Sequence, residues 1–210
     1  KPLLLPNHSS SRLKSFFEKN QFRTGYATHG LFPYRGKFHP QMIKSLINIM
    51  GLKPGDTILD PMMGSGTVPV EASLMGVKSI GIDASPFCRF MTQVKYNALT
   101  IQQDLLNLSL QHGKEIFELY SRAAGTPVSG SKSRNGSRKK NFSGTRESMT
   151  DFKSAWMSRL ADLIGTDDPD IFDFLLLAYL DSAGYSERSS RKSPLDQFQA
   201  IFERYVFVVK

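Results

Sequence analysis

The chain has 210 residues, a formal net charge of +8, 40% hydrophobic residues and one cysteine. That length supports a well-packed domain without disulfide or metal staples, and the lone Cys88 excludes an internal disulfide or a multi-cysteine metal site. The positive excess favours polyanionic partners, nucleic acid first among them, while the absence of any apolar run near the roughly 18 residues of a membrane span predicts a cytoplasmic protein.

Residues 1–38 mix aromatic, glycine and basic residues without a clean period, and are expected to be mostly loop with a short helix near Ser11 to Asn20. In HPQMIKSLINIMG, the residues Met42, Ile43, Leu46, Ile47 and Met50 recur at helical spacing, with Pro40 suited to a first turn and Gly51 to the position past the end. A turn at Pro54-Gly55-Asp56 then leads into a strand, Thr57 to Asp60. TVPVEASLMG predicts a helix from Thr67 to Met75, VKSIGID a second strand ending at Asp83, and Ser85-Pro86 the start of a further helix in which Cys88 is a small buried apolar side chain. This succession is a βαβ unit with parallel strands.

Helical spacing continues over 105–124, broken near Gly113, and over 150–165, 170–182 and 195–208, although the terminal YVFVV also has the β-branched content of a strand. Between them, residues 126–148 hold six basic residues against the single acid Glu147, too polar to order themselves by burial. A second basic patch spans Ser186 to Ser193. The organisation expected is an N-terminal segment 1–38, a βαβ unit 39–100, a helix 101–125, a flexible basic linker 126–148 and a helical region 149–210.

Between the first strand and its helix lies DPMMGSGT, residues 60–67. Gly64 and Gly66 allow close backbone approach to a ligand, and the helix that follows aims its free amides at the same spot. Asp83, 17 residues after Gly66 and at the tip of the neighbouring strand, stands where a carboxylate meets the ribose of a nucleoside. A dinucleotide fingerprint fails because Pro69 occupies the third small position, and a phosphate-binding NTP loop fails because no lysine follows Gly66. A bare strand-to-helix turn is the alternative to a nucleoside site.

Three segments in order carry a resemblance: Gly36-Lys37-Phe38-His39-Pro40-Gln41, Asp60-Pro61-Met62-Met63-Gly64-Ser65-Gly66-Thr67 and Gly81-Ile82-Asp83. Over residues 24–98 the chain resembles the S-adenosylmethionine-binding part of the amino-methylating DNA methyltransferases, which modify cytosine N4 or adenine N6, with Met62 in place of the usual phenylalanine. The resemblance implies an α/β, Rossmann-like S-adenosylmethionine methyltransferase fold, incomplete in this chain, with 39–100 as its cofactor-binding unit, followed by a helical, basic C-terminal insertion region whose part 149–210 would serve target recognition, and a role in DNA methylation as in restriction-modification systems. It also implies cofactor contacts from Lys37, Phe38, His39 and Pro40, which close over the methionine end. Asp60, Pro61, Met62, Gly64, Ser65, Gly66 and Thr67 would hold the methionine moiety, and Asp83, with Ala84 and Ser85, the ribose.

Such enzymes also use an S/D/N-P-P-aromatic segment, whose acceptors polarise the target amine while the ring stacks on the flipped base. No such segment occurs here; DPDI at Asp168 and SPLD at Ser193 read as helix starts, so no catalytic residue is assigned. The catalytic part is expected beyond Lys210 or on a partner chain. Arg134, Arg138, Lys139, Lys140, Arg188, Arg191 and Lys192 are the candidate phosphate contacts, and no metal site is expected. HPQMIKSLINIMGLKPGDTILDP is also similar to tRNA guanosine N2-methyltransferases, which keeps RNA open as a substrate; a non-catalytic nucleic-acid- or partner-binding module is the reading from another class.

Overall fold

The computed structural model describes residues 26–124, 156–186 and 192–209. The chain divides into two units, Lys1–Leu99 with Val208–Lys210, and Thr100–Phe207. The helix expected near Ser11 to Asn20 lies outside the described residues.

The first unit opens with one turn of 3-10 helix, Ala27–Gly30, followed by a strap of irregular backbone leading to helix α1, Pro40–Ile49. Pro40 takes the first helical position, where its missing amide costs nothing, and Gly51 turns the chain out at φ +69. After α1 comes a Lys53–Asp56 turn, in which the Asp56 carboxylate accepts from the Lys53 amide at 2.7 Å, and then β1, Thr57–Asp60. Helix α2, Thr67–Leu74, returns the chain to β2, Lys78–Gly81, which pairs with β1 in parallel, Thr57 opposite Lys78 and Asp60 opposite Gly81. Helix α3, Pro86–Asn97, follows, capped by the Ser85 hydroxyl, which accepts from the Cys88 amide. The parallel βαβ unit expected from the sequence is present; β2 stops two residues before Asp83, though Ile82 still donates to Asp60 at 2.9 Å.

Ile43 and Ile47 of α1 pack on Val68 and Ala72 of α2 and on Val77, with Leu52, Ile58 and Met75 closing the cluster. Each such aliphatic side chain removed from water contributes about 1.5–3 kcal/mol. Only Ile43 and Ile47 of the five-residue apolar stripe expected on α1 are buried, while Met42, Leu46 and Met50 stay exposed. Among the described residues the sheet is equally one-sided. Its alternation puts Ile58 toward the helices, whereas the register partners Leu59 and Ile80 are 59% and 54% exposed. Parallel strands are ordinarily covered on both faces.

The second unit is helical in its described part: α4, Gln103–Gln111; α5, Gly113–Ala123; α6, residues 156–164; α7, Pro169–Ser186; and α8, Pro194–Val209. Gly113 breaks the 105–124 stretch into two helices where the sequence placed the interruption, and the final YVFVV is helix rather than strand. Its core is aromatic. Tyr179 stacks on Tyr120 and meets Phe117 and Phe198, and the Tyr120 hydroxyl donates to the Phe172 carbonyl at 2.8 Å. Buried Asp181 accepts from Arg204 at 2.7 Å and from the Tyr205 hydroxyl, so its charge is paired where it is desolvated.

Candidate cofactor site

The tips of β1 and β2 meet. Asp83 Oδ2 accepts from the Gly64 amide at 2.9 Å and Oδ1 from the Ser85 amide at 2.8 Å. These backbone donors, Ser85 first and Gly64 second, hold the Asp83 carboxyl below its ordinary value. Each oxygen keeps lone-pair capacity for a further donor, such as a ribose hydroxyl.

The glycine loop is shaped from behind by α3. Gly64 and Gly66 adopt φ of +51 and +78, and Gly66 caps α2 in the left-handed region. A Cβ on Gly66 would stand 2.7 Å from Thr92 Cγ2, so glycine is required for both conformation and space. Thr92 Oγ1 donates to the Gly64 carbonyl at 3.3 Å, and Lys95 Nζ donates to the Ser65 carbonyl at 3.1 Å. Since the C=O and N–H of one trans peptide point opposite ways, turning the Gly64 carbonyl toward α3 turns the Ser65 amide away from it. The Thr67 and Val68 amides have no acceptor within α2, as at any helix start. The amides of Ser65, Thr67 and Val68 are thus donors of the kind that can serve a carboxylate, in the loop whose Gly64 amide bonds Asp83.

Asp60 remains at the strand end, its Oδ1 accepting from the Met62 amide at 3.2 Å and thereby fixing the Asp-Pro-Met bend. Met62 is 82% exposed, whereas Met63 is buried, and a Cβ on Gly81 would collide with its sulfur. Ser65 and Thr67 are buried, and Pro61 and Ala84 exposed.

The strap supplies the lid side. Tyr34 lies beside Gly64, at 3.4 Å from where a Gly64 Cβ would be, and its hydroxyl accepts from Cys88 Sγ at 3.7 Å. This contact with Cys88 raises the Tyr34 hydroxyl, with a smaller contribution from Asp83. Lys37 Nζ turns back to the His29 carbonyl at 3.1 Å, and burial lowers its pKa. His39 is lowered by burial first and then by the charges of His29 and Lys37, while Phe38 is exposed and Pro40 buried. The whole strap is pinned to α2: buried Glu71 accepts from His29 Nε2 at 2.7 Å and from the Tyr26 hydroxyl. A cavity of about 370 Å³ opens on the flank of this assembly, lined by Met63, Ser79, Gly81, Arg89, Thr92 and Tyr96, rather than in front of the loop amides.

The expected residues Gly64, Ser65, Gly66, Thr67, Asp83 and Ser85 are thus in one cluster; of the strap it is Tyr34 that reaches it, while Lys37 bonds the His29 carbonyl. Of the basic candidates, Lys192 is exposed on the second unit, and Arg134, Arg138, Lys139, Lys140, Arg188 and Arg191 lie outside the described residues. Among the described residues no group of metal-ligating side chains assembles and no helix is long and apolar enough to cross a membrane. Sequence reasoning missed Tyr34, Thr92, Lys95 and Glu71. Lys95 was detectable, because it falls in register with Cys88, Met91 and Ala98 on the buried stripe of α3, and Glu71 is the one charge in TVPVEASL.

Residues 31–122 match the family described as UPF0020: RMKL-like, methyltransferase domain. The chain is 40% identical over 94 residues to the type II methyltransferase M.MjaII of Methanocaldococcus jannaschii, covering 42% of this chain and 18% of that protein. Against the type II methyltransferase M.BsoBI of Geobacillus stearothermophilus it is 34% identical over 99 residues, 47% of this chain and 19% of the relative. Against the tRNA (guanine(10)-N2)-dimethyltransferase of Methanothermobacter thermautotrophicus it is 36% identical over 73 residues, 35% and 22% of the two chains. No solved structure matches the chain significantly. The chain therefore spans about a fifth of the length of these curated relatives. The matched segment contains all three sequence motifs, and the resemblance to the amino-methyltransferases is borne out.

Proposed function

We propose that this chain is the S-adenosylmethionine-binding part of an enzyme that methylates an exocyclic amine of a DNA base, cytosine N4 or adenine N6. The observation that carries the reading is the junction of the two strand tips, where the inward-turned carbonyls of Gly64 and Ser65 leave amides facing a bidentate Asp83. The residues fit the cofactor: Asp83 offers acceptors to the ribose hydroxyls, Ser65, Thr67 and Val68 offer amides to its carboxylate, and Asp60 offers an acceptor to its ammonium. When bound, the cofactor supplies an electrophilic methyl group on a positive sulfur. Lys37, Phe38, His39 and Pro40 would cover the methionine end, with Tyr34 already seated against the loop. The amine-polarising P-P-aromatic segment, which these 210 residues do not carry, would come from further polypeptide. That polypeptide would also cover the open face of the sheet. Arg134, Arg138, Lys139, Lys140, Arg188, Arg191 and Lys192 would contact phosphates, independently of base sequence.

Calorimetric titration of S-adenosylhomocysteine tests the reading: wild type binds, and Asp83→Ala binds at least about tenfold more weakly, the equivalent of one charge-assisted hydrogen bond of about 1.5 kcal/mol. Equal affinity in the two proteins would remove Asp83 from the site. A second reading, methylation of a tRNA guanine amine, is favoured by the 36% and 32% identical tRNA (guanine(10)-N2)-dimethyltransferases. Methyl transfer from labelled cofactor to duplex DNA or to tRNA, by a polypeptide extended to include the amine-binding segment, separates the two.

A further inference from the structure

The cofactor reading leaves a buried charge without a role. Lys95 is 1% exposed on the inward face of α3, and among the described residues its Nζ has one hydrogen-bond partner, the Ser65 carbonyl, and no carboxylate. An ammonium carries three donors and is expensive to desolvate, so a lysine placed here with one neutral acceptor is under-satisfied. The remaining compensation must come from the other side of the loop, where the amide nest opens.

We propose that Lys95 is the positioning residue of the cofactor loop: it holds the Ser65 carbonyl turned inward and sets a charge behind the amides, so that a ligand carboxylate seated there draws a proton onto Lys95. The proposal rests on the loop being the cofactor's carboxylate site. Burial, with a smaller contribution from Lys37, lowers the Lys95 ammonium to about 7, and Cys88 opposes this. The group is therefore near balance at neutral pH before any ligand arrives. The other titratable groups on the elements packed around it are His29 of the 3-10 turn, Glu71 of α2, already held by His29 and Tyr26, and Arg89 and Tyr96 on exposed positions of α3. A carboxylate entering the nest is the charge that this arrangement lacks, and opposite charge favours the protonated amine.

The test is calorimetric titration of the full 210-residue chain with S-adenosylhomocysteine at pH 8, in phosphate and in Tris, whose different ionisation heats report protons exchanged. Wild type should take up about half a proton or more, and its affinity should fall between pH 7 and 9 by as much as tenfold per unit, the limit for one linked proton. Lys95→Met, an apolar near-isostere, should bind without that uptake and without that slope; Lys95→Arg, charged throughout, should also lose the uptake while keeping the loop hydrogen bond. Methylthioadenosine, which lacks the amino-acid end, should bind wild type with no proton taken up. Binding by wild type with no proton uptake, or the same uptake in Lys95→Met, overturns the role of Lys95 and leaves the cofactor site standing. No binding of S-adenosylhomocysteine between pH 6 and 9 overturns the cofactor reading, and the inference with it.

Discussion

Gly66→Ala is the sharpest probe of the loop. Alanine at φ +78 enters the left-handed region at a cost of about 1 kcal/mol. Its Cβ would stand 2.7 Å from both Thr92 Cγ2 and Oγ1, closer than non-bonded carbons approach, so Thr92 must rotate. That rotation breaks the Thr92 hydrogen bond to the Gly64 carbonyl, about 1 kcal/mol, and strains the packing of α3 by about another 1 kcal/mol. The total, about 3 kcal/mol, corresponds to a fall in Tm of roughly 15 °C for a unit of this size. Thermal unfolding followed by circular dichroism reads it directly. Thr92→Ala alone should cost about 1 kcal/mol, yet the double variant should be less destabilised than Gly66→Ala, by up to about 1 kcal/mol, because both 2.7 Å contacts are gone and only the 3.0 Å approach to the residue-92 Cβ remains. A single variant that melts within about 3 °C of wild type, or a double variant that loses the sum of the two singles, would refute the assignment of Thr92 as the loop's rear wall.

The strap depends on Glu71. Glu71→Ala leaves the buried His29 and half-buried Tyr26 donors without this acceptor and should cost about 3 kcal/mol in urea unfolding, whereas Glu71→Gln, which keeps an acceptor, should cost about half as much. Asp83 is held below its ordinary value, so its contribution is full above pH 4 and is lost as pH falls through its lower folded value; the acid limb of a Tm-against-pH curve should be steeper in wild type than in Asp83→Asn. Lys95 gives a slope of the same sign in a higher window. Between about 7 and 10.5 the folded chain binds fewer protons at this group than the unfolded chain, so stability should rise with pH through that window in wild type and less in Lys95→Met. Ile80→Thr, on the open face of the sheet, should change unfolding free energy by less than about 0.5 kcal/mol.

The backbone of the first unit was legible because its signals are local. Pro40, Gly51, the Pro54-Gly55-Asp56 turn, the glycine loop and Ser85-Pro86 each mark a boundary through dihedral or capping constraints, and each boundary stands within two residues of its expected place. The meeting of Asp83 with the glycine loop followed from the same logic, since both end parallel neighbours at one edge. What escaped was set by packing at long sequence separation. Nothing local to Tyr34 or His29 announces contact with Gly64 or Glu71, 30 and 42 residues away. Met42, Leu46 and Met50 show the reverse failure: their spacing announces a buried face that finds no cover among the described residues. Spacing reports that a side chain would prefer burial; it does not report whether a partner arrives.

The one-flanked sheet sets the behaviour of the chain in solution. Among the described residues Leu59, Ile80 and Ile82 form an exposed apolar ribbon, and the formal +8 charge of each chain opposes the approach of a second copy to it. Raising the ionic strength shortens the range of that repulsion from about 10 Å at 0.1 M to about 3 Å at 1 M without weakening apolar attraction. Salt should therefore drive this polypeptide to cluster, a low-salt buffer or a mild surfactant should keep it dispersed, and dyes that brighten in apolar surroundings should report the ribbon before any cover is added.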